Sequence, residues 1–222
     1  MLVFEKVSAS IAGVSVLREI DVHLKAGSIA AVVGRNGAGK TTLLRLVMGF
    51  VKARAGRLTF DETNLADLAP QMRTRLGIGY APEDRAMFPT FSVEENLKFP
   101  CEVMHMQRSE VARRLEEVLV IVPELKSMLA RSGSALSGGQ GKMAALGRAL
   151  MAGTRLVMLD EPFQGLAPVL AGQYAESLRR LRGIRPEICL VITESNRGLL
   201  RDIPDMTWTL ERGALTADAR AA

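Results

Sequence analysis

Only two cysteines, Cys101 and Cys189, occur in 222 residues, far apart and in no metal-ligand spacing. That argues against a disulfide-stapled scaffold and a cysteine-built metal centre. It fits a reducing cytosol, with both thiols packed as small apolar side chains. The two histidines, His23 and His105, fall outside every motif described below and are expected as structural or surface residues. Aromatic residues make up 5% of the chain, and none interleaves with the basic groups Arg113-Arg114 and Arg179-Arg180-Leu181-Arg182. These arginines are expected on solvated helix faces, and a stacking platform for nucleic acid is unsupported. No apolar run approaches the roughly 18 residues that a membrane span needs. Met1 to Ser10 carries Glu5 and Lys6 early and lacks the apolar stretch of a signal peptide. Internal repeats and low-complexity segments are absent.

What remains is a chain with 48% hydrophobic residues, ample for the core of one globular domain. Its net charge of +5 is spread along the sequence and suits phosphate ligands or an anionic surface. Alternating apolar residues predict strands over 2–7 and 20–24, with further strands at 57–60 and 77–81. Short continuous apolar runs at 29–33, 155–160 and 188–193 predict strands buried on both faces. Helices are expected at 41–50, 109–122 and 141–152. Another starts at the Ser92-Val93-Glu94-Glu95 capping box, and one runs from Pro168 to about Arg182. Trp208 to Leu210 followed by Gly213 suggests a closing hairpin. Strands alternating with helices imply an α/β fold with a mainly parallel sheet, and the mostly helical stretch from about 84 to 150 is expected as an inserted subdomain.

Three segments carry chemistry. Gly34-Arg35-Asn36-Gly37-Ala38-Gly39-Lys40-Thr41, with Thr42 next, fits a phosphate-binding loop between a buried strand and a helix. Its glycines let the backbone curl so that N–H groups face one concavity, and the helix N-terminus favours the same anion. Lys40 supplies charge for the β- and γ-phosphates, and the Thr41 hydroxyl can ligate Mg²⁺. Leu156-Val157-Met158-Leu159-Asp160-Glu161 is an apolar strand ending in two acids, at the end of a strand where α/β sheets bind ligands. Asp160 is placed to hold Mg²⁺ through water, and Glu161 to polarise a water attacking the γ-phosphorus. Leu136-Ser137-Gly138-Gly139-Gln140 then puts small residues at a helix start, a second anion site.

With LSGGQ between a phosphate loop and LDEP, the chain resembles ABC-transporter ATPase subunits over nearly its whole length. The resemblance implies a P-loop NTPase cassette with an N-terminal antiparallel β portion. It also implies ATP and Mg²⁺ as ligands, and a head-to-tail pair in which Ser137, Gly138, Gly139 and Gln140 serve the ATP held by a partner's phosphate loop. Gly77 to Glu83, Met87-Phe88-Pro89, Ser92 to Leu97 and Gly165-Leu166-Ala167-Pro168 resemble one ATPase subunit of LIV-type branched-chain amino acid importers, with urea and amide importers close. That match implies a second ATPase subunit, two permeases and a periplasmic or extracellular binding protein, at the cytoplasmic face of the inner membrane.

Three positions depart from the family pattern. Ile11 stands where an aromatic normally stacks on adenine. Glu83 stands where a glutamine normally senses Mg²⁺ and the permease. Ser195 stands where the switch histidine falls. These departures motivate an alternative, a regulatory nucleotide-binding subunit with little hydrolysis, beside the ATPase that Lys40, Asp160 and Glu161 predict.

Overall fold

The computed structural model describes residues 1–84, 87–200 and 202–218. Two sheets organise them. The first is antiparallel and contains β1 (Leu2–Ile11), β2 (Val14–Leu24), β4 (Ala53–Phe60) and β5 (Thr63–Asn64), in the order β2-β1-β4-β5. The second contains β3 (Ile29–Val33), β6 (Ile78–Ala81), β7 (Leu156–Asp160), β8 (Cys189–Glu194), β9 (Met206–Glu211) and β10 (Ala214–Ala217), in the order β10-β9-β3-β8-β7-β6. All of its pairings are parallel except the β9–β10 hairpin at the edge. The apolar runs read as doubly buried strands form the middle of this sheet: every residue of β7 and β8 is buried.

The helices are α1 (Lys40–Met48), α2 (Pro70–Arg75), α3 (Val93–Val103), α4 (Arg108–Ile121), α5 (Gly138–Ala152) and α6 (Pro168–Ile184). α3 begins at the expected capping box, with the Ser92 hydroxyl accepting from Glu95 N and the Glu95 carboxylate accepting from Ser92 N. α5 packs on α3 and also on β6. One apolar cluster runs from Val118 and Leu125 through Leu146 and Leu150 to Val157 and Leu190, so helices and sheet share a core. A second cluster, from Phe4 and Ile20 to Leu44 and Val191, joins the antiparallel sheet to α1 and the other face of the central sheet.

The first two strands are longer than alternation suggests. β1 and β2 shift register between Phe4 and Val7 and again near Ala9, and Lys6 and Glu19 adopt positive φ. Such bulges break the two-residue period that marks a strand in sequence. The short α2 lacks a legible pattern, yet its buried Arg73 donates to the carbonyls of Leu46 and Val47 and so caps the end of α1. Arg114 departs from the solvated-face reading. Whereas Arg113 is exposed, Arg114 is mostly buried and donates to Met151 O. Both cysteines are buried, as their sequence context suggests, and both histidines are exposed.

Candidate nucleotide site

The parallel order β3-β8-β7 brings three strand ends to one place. β3 feeds the loop 34–39, β7 ends at Asp160 and leads into Glu161, and β8 ends at Glu194 and leads into Ser195. In register, Val33 faces Glu194 and Asp160 faces Thr193. Residues far apart in sequence therefore converge because each sits at the carboxyl end of a neighbouring strand.

The loop turns into α1 through Gly37 and Gly39, with φ of 81° and 111°, values that a side chain rarely tolerates. No side chain caps α1, and its first turn holds no acid. The first-turn N–H groups and the positive end of the helix dipole are thus left for an anionic ligand. Beside them opens a cavity of about 550 Å³ lined by Ile11, Val16, Asn36, Gly37, Gly39, Lys40, Thr41, Thr42, Glu83 and Glu161.

Lys40 is almost fully buried. Its ammonium donates to the carbonyls of Gly34 (2.6 Å) and Arg35 (3.1 Å) and to Ser195 Oγ (3.2 Å), and pairs with Glu161 Oε1 at 2.9 Å. Glu161 adopts φ of 48°, a strained conformation for a residue with a side chain, held by its own N–H donating to Thr193 O and Oγ1. This twist separates it from Asp160, one residue before. The Ser195 hydroxyl lies 2.5 Å from Glu161 Oε1 and 2.7 Å from Asn36 Oδ1, and its single proton serves one of them at a time. Burial pushes the Glu161 carboxyl up, but the Ser195 hydroxyl and Lys40 outweigh it, and the group titrates below the ordinary carboxylate value. It is therefore ionised at neutral pH, as an acceptor for a water proton must be.

Asp160 is buried and surrounded by hydroxyls. Thr193 Oγ1 donates to its Oδ1 at 2.7 Å, Thr41 Oγ1 to the same oxygen at 3.2 Å, and the Tyr80 hydroxyl to Oδ2 at 3.1 Å. A hydroxyl that lines the phosphate pocket, with a buried carboxylate beside it, forms the sparse oxygen set that suits Mg²⁺ bound jointly with a triphosphate. The described residues hold no cluster of three His, Cys, Asp or Glu side chains that could form a metal cage by themselves.

Sequence reasoning thus finds Asn36, Gly37, Gly39, Lys40, Thr41, Thr42, Asp160, Glu161, Ser195, Glu83 and Ile11 at one site. Gly34 and Arg35 contribute carbonyls to Lys40, and Ala38 completes the turn. Ile11 is 46% exposed at the end of β1, and the nearby cavity wall is Val16, so that end of the pocket is aliphatic. The signature residues lie elsewhere. Ser137 caps α5 in a reciprocal box with Gln140, exposed and outside this cavity. Gly138 is exposed beside it, whereas Gly139 is a close-packing position, since a Cβ there would sit 2.3 Å from Leu170.

Four site residues escaped the sequence reading. Thr193, Tyr80 and Lys142 reach Asp160 or Glu161, the last by donating to Glu161 O. Thr193 had a signal, as a lone polar residue ending an apolar run. Glu194 is the fourth. Burial above all, and the nearby Glu161 charge, push its carboxyl up to about 7, although Phe163 N and Lys142 oppose this. Phe163 N donates to its Oε1 at 2.8 Å, while Oε2 is buried without a hydrogen-bond partner. The folded chain therefore holds this proton more tightly than the unfolded one. The stability gained is complete below the unfolded value of 4.5 and is lost as pH rises through about 7. Glu194→Gln is expected to raise unfolding stability on the order of 2–3 kcal/mol at pH 8 and much less at pH 5. Urea unfolding at both pH values checks this, and a pH-independent effect would refute the buried-proton account.

The ABC transporter family model matches residues 17–164. This chain belongs to the ABC transporter family. Its part in that family is the ATP-binding cassette, the subunit that binds and hydrolyses ATP. It is 33% identical to the high-affinity branched-chain amino acid transport ATP-binding protein BraG of Pseudomonas aeruginosa, over 97% of this chain and 91% of that one. It is 32% identical to a probable branched-chain amino acid transport ATP-binding protein, LivF, of Archaeoglobus fulgidus, over 100% of this chain and 92% of that one. The dimeric structure of MJ0796, a bacterial ABC transporter cassette, superimposes with a TM-score of 0.87 at 20% identity, covering 100% of this chain and 99% of that one. At that identity the likeness establishes the shared fold.

Proposed function

We propose that this cassette powers import of branched-chain amino acids or similar small polar solutes. The observation that carries this reading is end-to-end similarity to BraG and LivF, proteins named for branched-chain amino acid transport. It works in a head-to-tail dimer with a second, identical or different ATPase subunit. Two permeases and a periplasmic or extracellular binding protein complete the system, at the cytoplasmic face of the inner membrane. No helix among the described residues is long and apolar enough to cross a membrane, which suits a peripheral subunit.

The chain's residues divide the work as follows. The loop 34–39 and the start of α1 receive the triphosphate, and Lys40 leaves Glu161 to meet its β- and γ-phosphates. Thr41 and Asp160, with Glu83 lining the same cavity, would hold Mg²⁺, and the ion would supply charge to neutralise the phosphates. Freed from Lys40, Glu161 orients a water in line with the γ-phosphorus and accepts its proton. Ser195 keeps Glu161 in place and can donate to phosphate, although it carries no charge. The exposed cap at Ser137 to Gln140 meets the partner's ATP. The aliphatic end at Ile11 leaves the base without an aromatic face, so affinity rests mainly on phosphates. The clustering of Lys40, Asp160 and Glu161 favours turnover over a purely regulatory subunit. The surface around Glu83 to Leu97, of which 85–86 lie outside the described residues, meets the permease.

The test is uptake of radiolabelled leucine, isoleucine and valine at micromolar concentration by cells deleted for this gene. Uptake is expected to fall at least about tenfold and to return with the wild-type chain. Normal uptake of all three, with loss of urea or amide uptake, would reassign the solute.

A further inference from the structure

We propose that Tyr80 is a positioning residue for Asp160, fixing the carboxylate so that its other oxygen is presented to Thr41 and the metal. This rests on the ATPase reading above. The geometry is specific. Tyr80 lies on β6, beside β7, where it is paired in register with Met158, and its hydroxyl reaches up to Asp160 Oδ2 at 3.1 Å. Thr193 and Thr41 both address Oδ1, at 2.7 and 3.2 Å. Tyr80 therefore holds the oxygen that neither threonine holds, and the three hydroxyls together fix the rotation of the carboxylate.

The two threonines also have other duties. Thr41 can keep donating to Asp160 while its lone pairs face a metal, and Thr193 Oγ1 also accepts from Glu161 N at 3.2 Å. Tyr80 approaches from the opposite side of the strand end, where it lines the cavity of about 820 Å³ together with Arg45 and Asp84. Burial first, then the Asp160 charge, push its phenol well above the ordinary value, although the facing Arg45 guanidinium pulls the other way. A donor that orients a metal-holding group without touching the metal affects metal affinity rather than nucleotide affinity, commonly by about 10–100-fold.

The test is Tyr80→Phe, which keeps the ring and removes only the hydroxyl. ATP binding to the purified chain is measured by calorimetry in EDTA and across a Mg²⁺ titration, with kcat and KM recorded alongside. The half-saturating Mg²⁺ concentration is expected to rise about tenfold, with ATP affinity in EDTA unchanged and kcat recovering at high Mg²⁺. An unchanged Mg²⁺ midpoint would overturn the proposal. So would an equal loss of ATP affinity in EDTA, because that marks a general structural role. If the wild-type chain neither binds ATP nor responds to Mg²⁺, the ATPase reading itself fails, a result distinct from either.

Discussion

Glu161→Gln is expected to lower steady-state ATP hydrolysis by at least about 10²-fold without any loss of ATP binding. The amide keeps the shape of the carboxylate and can still accept from Ser195, but it cannot take a proton from water. The same change should tighten ATP binding. In the wild type the Lys40 ammonium is paired with Glu161 at 2.9 Å, both side chains buried, and this pair must open before Lys40 can reach a phosphate. Removing the competing carboxylate frees Lys40, and a gain of about 1 kcal/mol corresponds to roughly fivefold in affinity. Turnover of the wild type and variant with Mg²⁺, ATP titrations, and sizing with and without ATP test both halves. The variant is expected to persist as an ATP-dependent dimer. Residual turnover above about a tenth of wild type would remove Glu161 from the role of base. Unchanged affinity would mean that the Lys40–Glu161 pair does not compete with nucleotide.

The parts of this fold that sequence made legible are those where one physical requirement dominates. A strand covered on both faces needs an unbroken apolar run, so 29–33, 155–160 and 188–193 stand out. A phosphate loop needs glycines and a following helix, and Gly37, Gly39 and Lys40 announce both. Where two requirements compete, the pattern blurs. The bulges at Lys6 and Glu19 interrupt alternation, which hides the outer halves of β1 and β2. Helix α5 begins at Gly138 because Ser137 and Gln140 cap it, although glycines there lower the helix signal. Side-chain neighbours across strands were the least legible. That Asp160 would face Thr193 depends on β7 and β8 pairing in one register, which no local pattern encodes. Tyr80 could be placed in a strand but not next to Asp160, and Glu194 gave no hint that one of its oxygens lacks a partner.

Lys40→Ala is expected to reduce ATP affinity by at least about 10²-fold and to abolish measurable turnover, because it deletes the one lysine that lines the nucleotide cavity among the described residues. It should also destabilise the fold, for a reason separate from binding. Glu161 is 4% exposed, and its carboxylate would lose its cationic partner while remaining buried. Breaking one side of a buried pair costs about 3–5 kcal/mol, here reduced by the Ser195 hydroxyl and N–H that still donate to Glu161. A loss near 2–3 kcal/mol in urea unfolding without nucleotide is therefore the expected value. The double variant Lys40→Ala/Glu161→Gln separates the two effects. Neutralising both partners should recover most of the lost stability while leaving ATP binding absent, so stability is strongly non-additive and binding is not rescued. Recovery of ATP binding in the double variant would show that Lys40 serves mainly to neutralise Glu161 rather than to hold phosphate. Equal instability of the single and double variants would show instead that the packing of the Lys40 side chain, and not its charge, supports the loop.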